Sequence, residues 1–399
     1  MMHTRVEPLK ILQLVRGFDI GGIHGGAERF GLDLALELKR MGHDVQVSAL
    51  FRTKSDNETR WIQMLSRAGI PAKFLLDWKG RKITGQYLLA IHRLGNDIRK
   101  DPVDICHSHF QVGSIAAVYL RCIRAAKKSI RTAHITREWG TGVVSWFARR
   151  VFTDWIFPIC LDKEVGVSAA IVAQLDKHPG SCLLGRAPHL IHNAMHFPDF
   201  AAKSQPITGK KKKEFVIGSV GRLTRQKGFD LLIRSVPAVL SKIAAKFYII
   251  GDGEQRGELE ALVKKLGLED SVIFTGQVSN VPDFFKEMDI FVLSSLWEGL
   301  PTVVLEAMFH GIPVVATDIP GTDELISPNR NGWLAKPGDP ICLADVIIRA
   351  ATSPETSRRY SEQAKKDVKK YSLAIIAREY EDLYEVLLSP NAGVNPGLF

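Results

Sequence analysis

Short apolar runs alternate with amphipathic stretches along most of this chain. Residues 11–15 (Ile-Leu-Gln-Leu-Val) read as a strand, 27–40 as a helix, and 45–50 as the next strand. A helix around 58–67 and strands over 72–76 and 103–106 continue the series. Strands separated by helices predict a mostly parallel, doubly wound sheet, because parallel neighbours need a crossover long enough to hold a helix.

The series breaks and then restarts. Residues 198–214 hold Pro206, Gly209 and four successive lysines with no hydrophobic period, which is linker composition. Strands follow at 215–220, 246–250, 272–274, 290–293 and 314–316, with helices at 230–240 and 258–266. The pattern predicts an α/β fold of two Rossmann-like domains facing a cleft: 1–200, a linker at 201–214, and 215–370. An amphipathic helix follows within 371–399, ending in a loose tail from Pro390. Ligands of such sheets bind beyond the carboxyl ends of the strands. No tandem repeat is visible.

With 399 residues, 45% of them hydrophobic, the chain is long enough for two cores. Its net charge of +10 is unevenly placed. The first 200 residues carry 28 Lys and Arg against 18 Asp and Glu, and the remainder is balanced. A basic half suits phosphate-bearing substrates or an anionic membrane surface, unless the charge serves solubility alone. It carries no recognisable module for reading nucleic acid.

Five cysteines, an odd number without a CxxC pair, argue against a disulfide framework or a zinc site and fit a reducing compartment. Arg16 and Asp19 interrupt the first apolar run, so no signal peptide is read, and no apolar stretch is long enough to cross a bilayer. The expectation is a cytoplasmic protein able to touch the inner face of the cytoplasmic membrane.

Three local patterns carry chemistry. Glu298-Gly299-Leu300-Pro301-Thr302-Val303-Val304-Leu305-Glu306 follows an apolar strand and opens a helix. The turn and first helical amides suit phosphate or sugar oxygens, and each carboxylate can accept hydrogen bonds from a diol. The alternative is a pair of surface glutamates flanking a loop. In Gly218-Ser219-Val220-Gly221-Arg222-Leu223-Thr224-Arg225-Gln226-Lys227-Gly228, a strand runs into a loop that ends before a helix. Arg222 and Lys227 together can clamp a diphosphate, unless the loop is merely basic and solvated. Gly21-Gly22-Ile23-His24-Gly25-Gly26 permits close backbone approach to a ligand, but lacks GxGxxG spacing and a following Walker lysine.

In this order, the three patterns resemble the GT-B glycosyltransferases of family 4. That group includes bacterial mannosyl-, glucosyl- and N-acetylglucosaminyltransferases and sucrose synthases. Further matching residues are Val167-Ser168, Asn193, Gly251-Asp252-Gly253, Thr275-Gly276, the run from Gly311 to Asp318, and Gly332-Trp333-Leu334. The match is dense over 215–340 and sparse before it.

The resemblance implies retaining transfer of a hexose-type sugar from a nucleotide-diphosphate donor. The acceptor would be a glycan or lipid-linked molecule in polysaccharide, lipopolysaccharide or glycolipid synthesis. Arg222 and Lys227 would bind the diphosphate, Glu306 the ribose, and Glu298 the donor sugar. Gly299, Leu300, Pro301, Thr302 and Val303 would line sugar and phosphate, and Val278 would lie near the base. Gly25 and Gly26 would close over the diphosphate from the first domain, and the final helix would cross back onto that domain. His134 matches a family histidine near the donor sugar, with a structural histidine as the alternative. No metal or other cofactor is implied, and there is no DxD motif. Transfer on one face, with the leaving phosphate taking the acceptor's proton, fits the lack of an obvious carboxylate nucleophile.

The chain departs from the family at Asn193-Ala194-Met195-His196, where Asn-Gly-Val-Asp is frequent, and at Pro320-Gly321, where paired glycines are usual. Ile135 stands where glycine often follows the histidine. Two further groups stand apart. Strand alternation puts His107 and His109 on one face at a strand end, which favours an acceptor-cleft role over a metal site lacking a third ligand. Arg121, Arg124, Lys127, Lys128, Arg131, Arg149 and Arg150 interleave with Trp146, Phe147, Phe152, Trp155 and Phe157. That mixture suits an anionic bilayer or an ordinary helix with a solvated face. Rival functions are a GT-B nucleotide-sugar epimerase or hydrolase, and a non-catalytic binding protein that kept the fold.

Overall fold

A computed structural model describes residues 7–19, 26–77, 84–135, 142–197, 214–278 and 281–389. The chain divides into two compact units. The first comprises Met1–His196 and Leu373–Phe399, and the second Phe197–Ser372. The sequence-based boundaries are 200, 214 and 370. Most of the expected linker, residues 198–213, lies outside the described residues, as do Gly25 and the tail from Pro390.

The first unit holds strands β1 (Lys10–Val15), β2 (Asp44–Arg52), β3 (Ala72–Asp77), β4 (Val103–Ser108), β5 (Ala126–Ala133), β6 (Lys163–Gly166) and β7 (His189–Leu190). They form one parallel sheet in the order β3-β2-β1-β4-β5-β6-β7. Side chains alternate across it. Ile11, Val15, Ile105 and Ile130 enter one core, while Leu12, Leu14 and Cys106 enter the other. The helix Gly26–Arg40 covers the first face with Phe30, Leu34 and Leu38.

The C-terminal helix Leu373–Leu388 shares that face. Leu373, Ile376, Ala377, Tyr380, Leu383 and Tyr384 are buried, a stripe of helical period. His43 adds a polar tie to it. The Leu9 N–H donates to His43 Nδ1 at 3.2 Å, which leaves the ring proton on Nε2 to donate to Glu381 Oε1 at 2.8 Å.

The second unit holds β8 (Phe215–Val220), β9 (Ala245–Ile250), β10 (Val272–Gly276), β11 (Ile290–Leu293), β12 (Val314–Thr317) and β13 (Trp333–Ala335). The order is β10-β9-β8-β11-β12-β13, again parallel throughout. All four residues of β11 are buried, as befits a strand covered on both faces. The doubly wound fold expected from the alternation is present in both units.

Candidate functional site

The winding of the second sheet reverses between β8 and β11. Chain leaving the carboxyl ends of these two strands departs in opposite directions, and the crevice so formed is where doubly wound sheets take ligands. The Arg222–Lys227 loop follows β8, and the Glu298 loop follows β11.

Backbone contacts set the shape of the first loop. Gly221 N–H donates to Ile250 O, Leu223 N–H to Asp252 O, and Gln255 N–H to Leu223 O, at 2.9–3.0 Å. Gly251 has φ +136°, and a Cβ there would stand 2.0 Å from Gly221 O. The Gly251-Asp252-Gly253 motif therefore acts by letting two backbones touch. A short 3₁₀ turn, Arg225–Lys227, then ends at Gly228, and Leu296 N–H donates to Gln226 O at 2.8 Å. Ser294 Oγ donates to Lys227 O at 2.9 Å.

This docking brings Lys227 onto Glu298. Lys227 Nζ lies 2.6 Å from Glu298 Oε1, which also accepts from Ser295 Oγ at 2.7 Å. Gln226 Nε2 donates to Glu298 Oε2 at 3.3 Å and to Trp297 O at 3.0 Å. Glu298 is buried, and its charge is met by one cation and two neutral donors. The two expected site residues thus pair with each other, Glu298 accepting from the Lys227 ammonium. The Lys227 stem runs beside Gly221, 3.4–3.5 Å from where a Cβ would stand, next to exposed Arg222.

Beyond Gly299, the helix Thr302–His310 begins at Pro301 with no side-chain cap. Its first turn presents main-chain amides and the positive end of the helix dipole. Leu300 and Pro301 are buried, Thr302 and Val303 half-buried, and Glu306 occupies the second turn, also half-buried. Val278 is half-buried just past β10, at the sheet's edge.

A third loop, after β12, completes the support. Gly321 has φ +90°, and a Cβ would stand 2.1 Å from Gly299 O. Thr322 Oγ1 bonds Thr317 O at 2.5 Å, and Thr317 Oγ1 bonds Ser295 O at 2.6 Å. With Pro320 replacing one of the usual glycines, Gly321 alone carries the conformation and the close approach. Ser295, Gln226 and Gly321 were not singled out as site residues from sequence; the spacing of Ser295 three residues before Glu298 is the one available signal.

In the first unit, the carboxyl ends of β1, β4 and β5 carry a buried polar cluster. Gln13, His107 and Thr132 continue the face of Ile11, Ile105 and Ile130 by alternation. His107 bonds Tyr384 OH and Thr132 Oγ1, both at 2.8 Å, and Thr132 Oγ1 bonds Tyr380 OH at 2.9 Å. His109 reaches Gln13 at 2.8 Å through Nε2 and His134 at 3.3 Å through Nδ1, and His134 Nδ1 faces Asn193 Oδ1 at 3.1 Å.

Proton order follows from this geometry. A neutral imidazole has one N–H, and His134 must spend it on Asn193 Oδ1, so His109 Nδ1–H donates to His134 Nε2. His109 Nε2 is then an acceptor, which requires the Gln13 amide to present its NH₂.

Burial holds His107 and His109 well below the usual imidazole range and lowers His134 to about 4. The acceptor-cleft reading of His107 and His109 is thereby corrected: both are buried and engaged with the protein's own side chains. His134 is likewise occupied at both ring nitrogens, which favours its structural alternative. Among the described residues, no group of three or more His, Cys, Asp or Glu is arranged to hold a metal ion. Gly26 opens the helix Gly26–Arg40 and is exposed.

Residues 201–367 match the family described as Glycosyl transferases group 1, and residues 24–202 match Glycosyltransferase Family 4. The chain belongs to the GT-B glycosyltransferases of this family-4 kind. An uncharacterised glycosyltransferase of Methanocaldococcus jannaschii is 36% identical over 183 residues, 45% of this chain and 47% of that one. The lipopolysaccharide core biosynthesis mannosyltransferase LpsB of Rhizobium meliloti is 30% identical over 234 residues, 57% of this chain and 62% of that one. The chain thus spans about half to three-fifths of the length of these curated relatives. Anabaena HepE, solved with UDP-glucose, superposes with a TM-score of 0.76 at 21% identity, covering 94% of this chain and 99% of that one. That likeness bears on the fold.

Proposed function

We propose that this GT-B chain transfers a sugar, with retention, from a nucleoside-diphosphate donor to a glycan or lipid-linked acceptor. One observation carries the reading: Lys227 and Glu298, from different loops, meet at the β8/β11 switch point beside an uncapped helix start. An ammonium held by a buried carboxylate, on the same loop as exposed Arg222 and near a helix start without a side-chain cap, suits a diphosphate better than a neutral ligand. UDP-glucose bound to HepE and the mannosyltransferase activity named for LpsB agree with this reading.

In the proposed reaction, the acceptor hydroxyl attacks the anomeric carbon as its bond to the diphosphate oxygen breaks. The departing phosphate takes the hydroxyl proton on the same face. Lys227 and Arg222 offset the charge growing on the diphosphate, Glu298 fixes Lys227, and Glu306 receives the ribose hydroxyls. No protein carboxylate is consumed as a nucleophile in this scheme. We place the work in lipopolysaccharide or polysaccharide synthesis.

A thermal-shift series with UDP-, GDP- and ADP-sugars tests donor binding, because a ligand held only by the folded state raises the melting temperature. Nucleoside-diphosphate release with acceptor present, and the anomeric linkage of the product, test transfer and retention. Absence of a shift with every nucleotide sugar defeats the donor assignment. Release without a new glycosidic bond makes the chain a hydrolase, and isomerised sugar makes it an epimerase.

A further inference from the structure

The helical run from Val143 to Cys160 turns toward solvent the side chains that such a helix ordinarily buries. It comprises the helix Val143–Ala148, a π-helical segment Arg149–Ile156 and the helix Phe157–Cys160, with helical backbone at both junctions. Thr153, Asp154, Phe157 and Pro158 are buried beneath it, and Phe152 and Ile156 pack on the core. Its outer side carries Phe147 at 63% exposure, Trp146 at 59%, Trp155 at 44% and Ile159 at 40%. The short helix Pro179–Leu184 packs against this run and adds exposed Leu183 and Leu184. An apolar patch rich in indole rings marks an interaction surface rather than a solvated face.

The charge around it selects the occupant. Arg149 and Arg150 are exposed within the same run, and the Arg150 guanidinium lies 5.6 Å above the Trp146 ring while pairing with Asp154 at 3.1 Å. The first 200 residues carry the whole excess of positive charge. Much of the basic cluster seen in the sequence is spent elsewhere. Arg131 is buried against Glu164 and Phe157, Arg121 and Lys128 pair with Asp162, and Lys127 pairs with Asp104. What faces outward here is a compact set of aromatic and aliphatic side chains beside arginine. Among the described residues, no helix is long and apolar enough to cross a membrane. Exposed indoles beside arginine are the composition that favours the headgroup layer of a bilayer.

We infer that this face of the first unit docks on an anionic lipid surface, with the indoles at headgroup depth and the arginines among the phosphates. The inference goes beyond sugar transfer and does not depend on it.

The test sediments the full chain with vesicles of phosphatidylcholine, alone or with about 30% phosphatidylglycerol, at low and high salt. Binding should favour the anionic vesicles by about tenfold or more and weaken with salt. The double variant W146S/F147S should lose about tenfold in vesicle affinity with an unchanged melting temperature, since both side chains are exposed. R149E/R150E should lose the preference for anionic lipid. Failure to bind at low salt, or equal binding by W146S/F147S, overturns the inference. So does a vesicle-free dimer dispersed by that variant, which would give the face to a second copy of the chain.

Discussion

The hydroxyl of Tyr384 lies 2.8 Å from Nδ1 of His107, joining positions 277 apart in sequence. Both side chains are fully buried, so each is the other's substitute for water. Tyr384→Phe keeps the ring and deletes the hydroxyl, leaving an imidazole nitrogen unsatisfied. The expected cost is about 1–3 kcal/mol, read from urea denaturation of the full chain.

Three linked imidazoles make acid a denaturant of the first unit. Burial depresses His107, His109 and His134, and His178 is pushed down to about 4 in the same way. Once unfolded, each ring titrates near 6.5 and takes up a proton that the folded state refuses. Stability is therefore complete above about pH 6.5 and falls as pH drops toward 4, by up to about 1.4 kcal/mol per pH unit for each ring. Melting temperatures across this window should fall steeply, and His134→Asn should flatten the slope. A flat profile would show that these rings take up protons in the fold as readily as in the unfolded chain.

Lys227 and Glu298 should differ in consequence. Lys227→Ala removes the proposed contact with the diphosphate, and sugar transfer should fall by about a hundredfold or more. Glu298→Gln keeps the shape and the Ser295 bond but frees the ammonium, so a smaller loss is expected. Nucleoside-diphosphate release, with circular dichroism confirming the fold, distinguishes the two. Wild-type turnover by Lys227→Ala would end the site assignment.

Gly321 sits where no side chain fits. Its φ of +90° and the 2.1 Å approach of Gly299 O to a Cβ mean that Gly321→Ala must push the Glu298 loop away. A loss of about 1–3 kcal/mol or more is expected, together with weaker donor binding. Calorimetry and the donor titration read these separately.

Two central strands of the second unit were readable because they are apolar from end to end or nearly so. Residues 290–293 and 314–316 are apolar throughout, and β11 and β12 contain them. In the first unit, β5 was hidden by Lys127, Lys128, Ser129, Arg131 and Thr132, which read as surface. Arg131 is buried by an ion pair with a residue 33 positions away and a ring above it, neither visible in a local window. The same holds for the site: Glu298 and Lys227 were legible as residue types, but not as partners. Their contact depends on Gly228 allowing backbone to pass within 2.3 Å of where a Cβ would stand. The histidine pair was placed correctly on one face, but its role was not, because the tyrosines that claim His107 arrive from the far end of the chain.

The stripe from Leu373 to Tyr384 completes the core of a unit whose other residues end at His196. During synthesis, the leading half must wait, with that face uncovered, until the entire second unit has been made. Shortening the chain at residue 372 should thus unfold the beginning rather than the end, and a ribosome that stalls late should release an aggregation-prone front half beside an intact second unit.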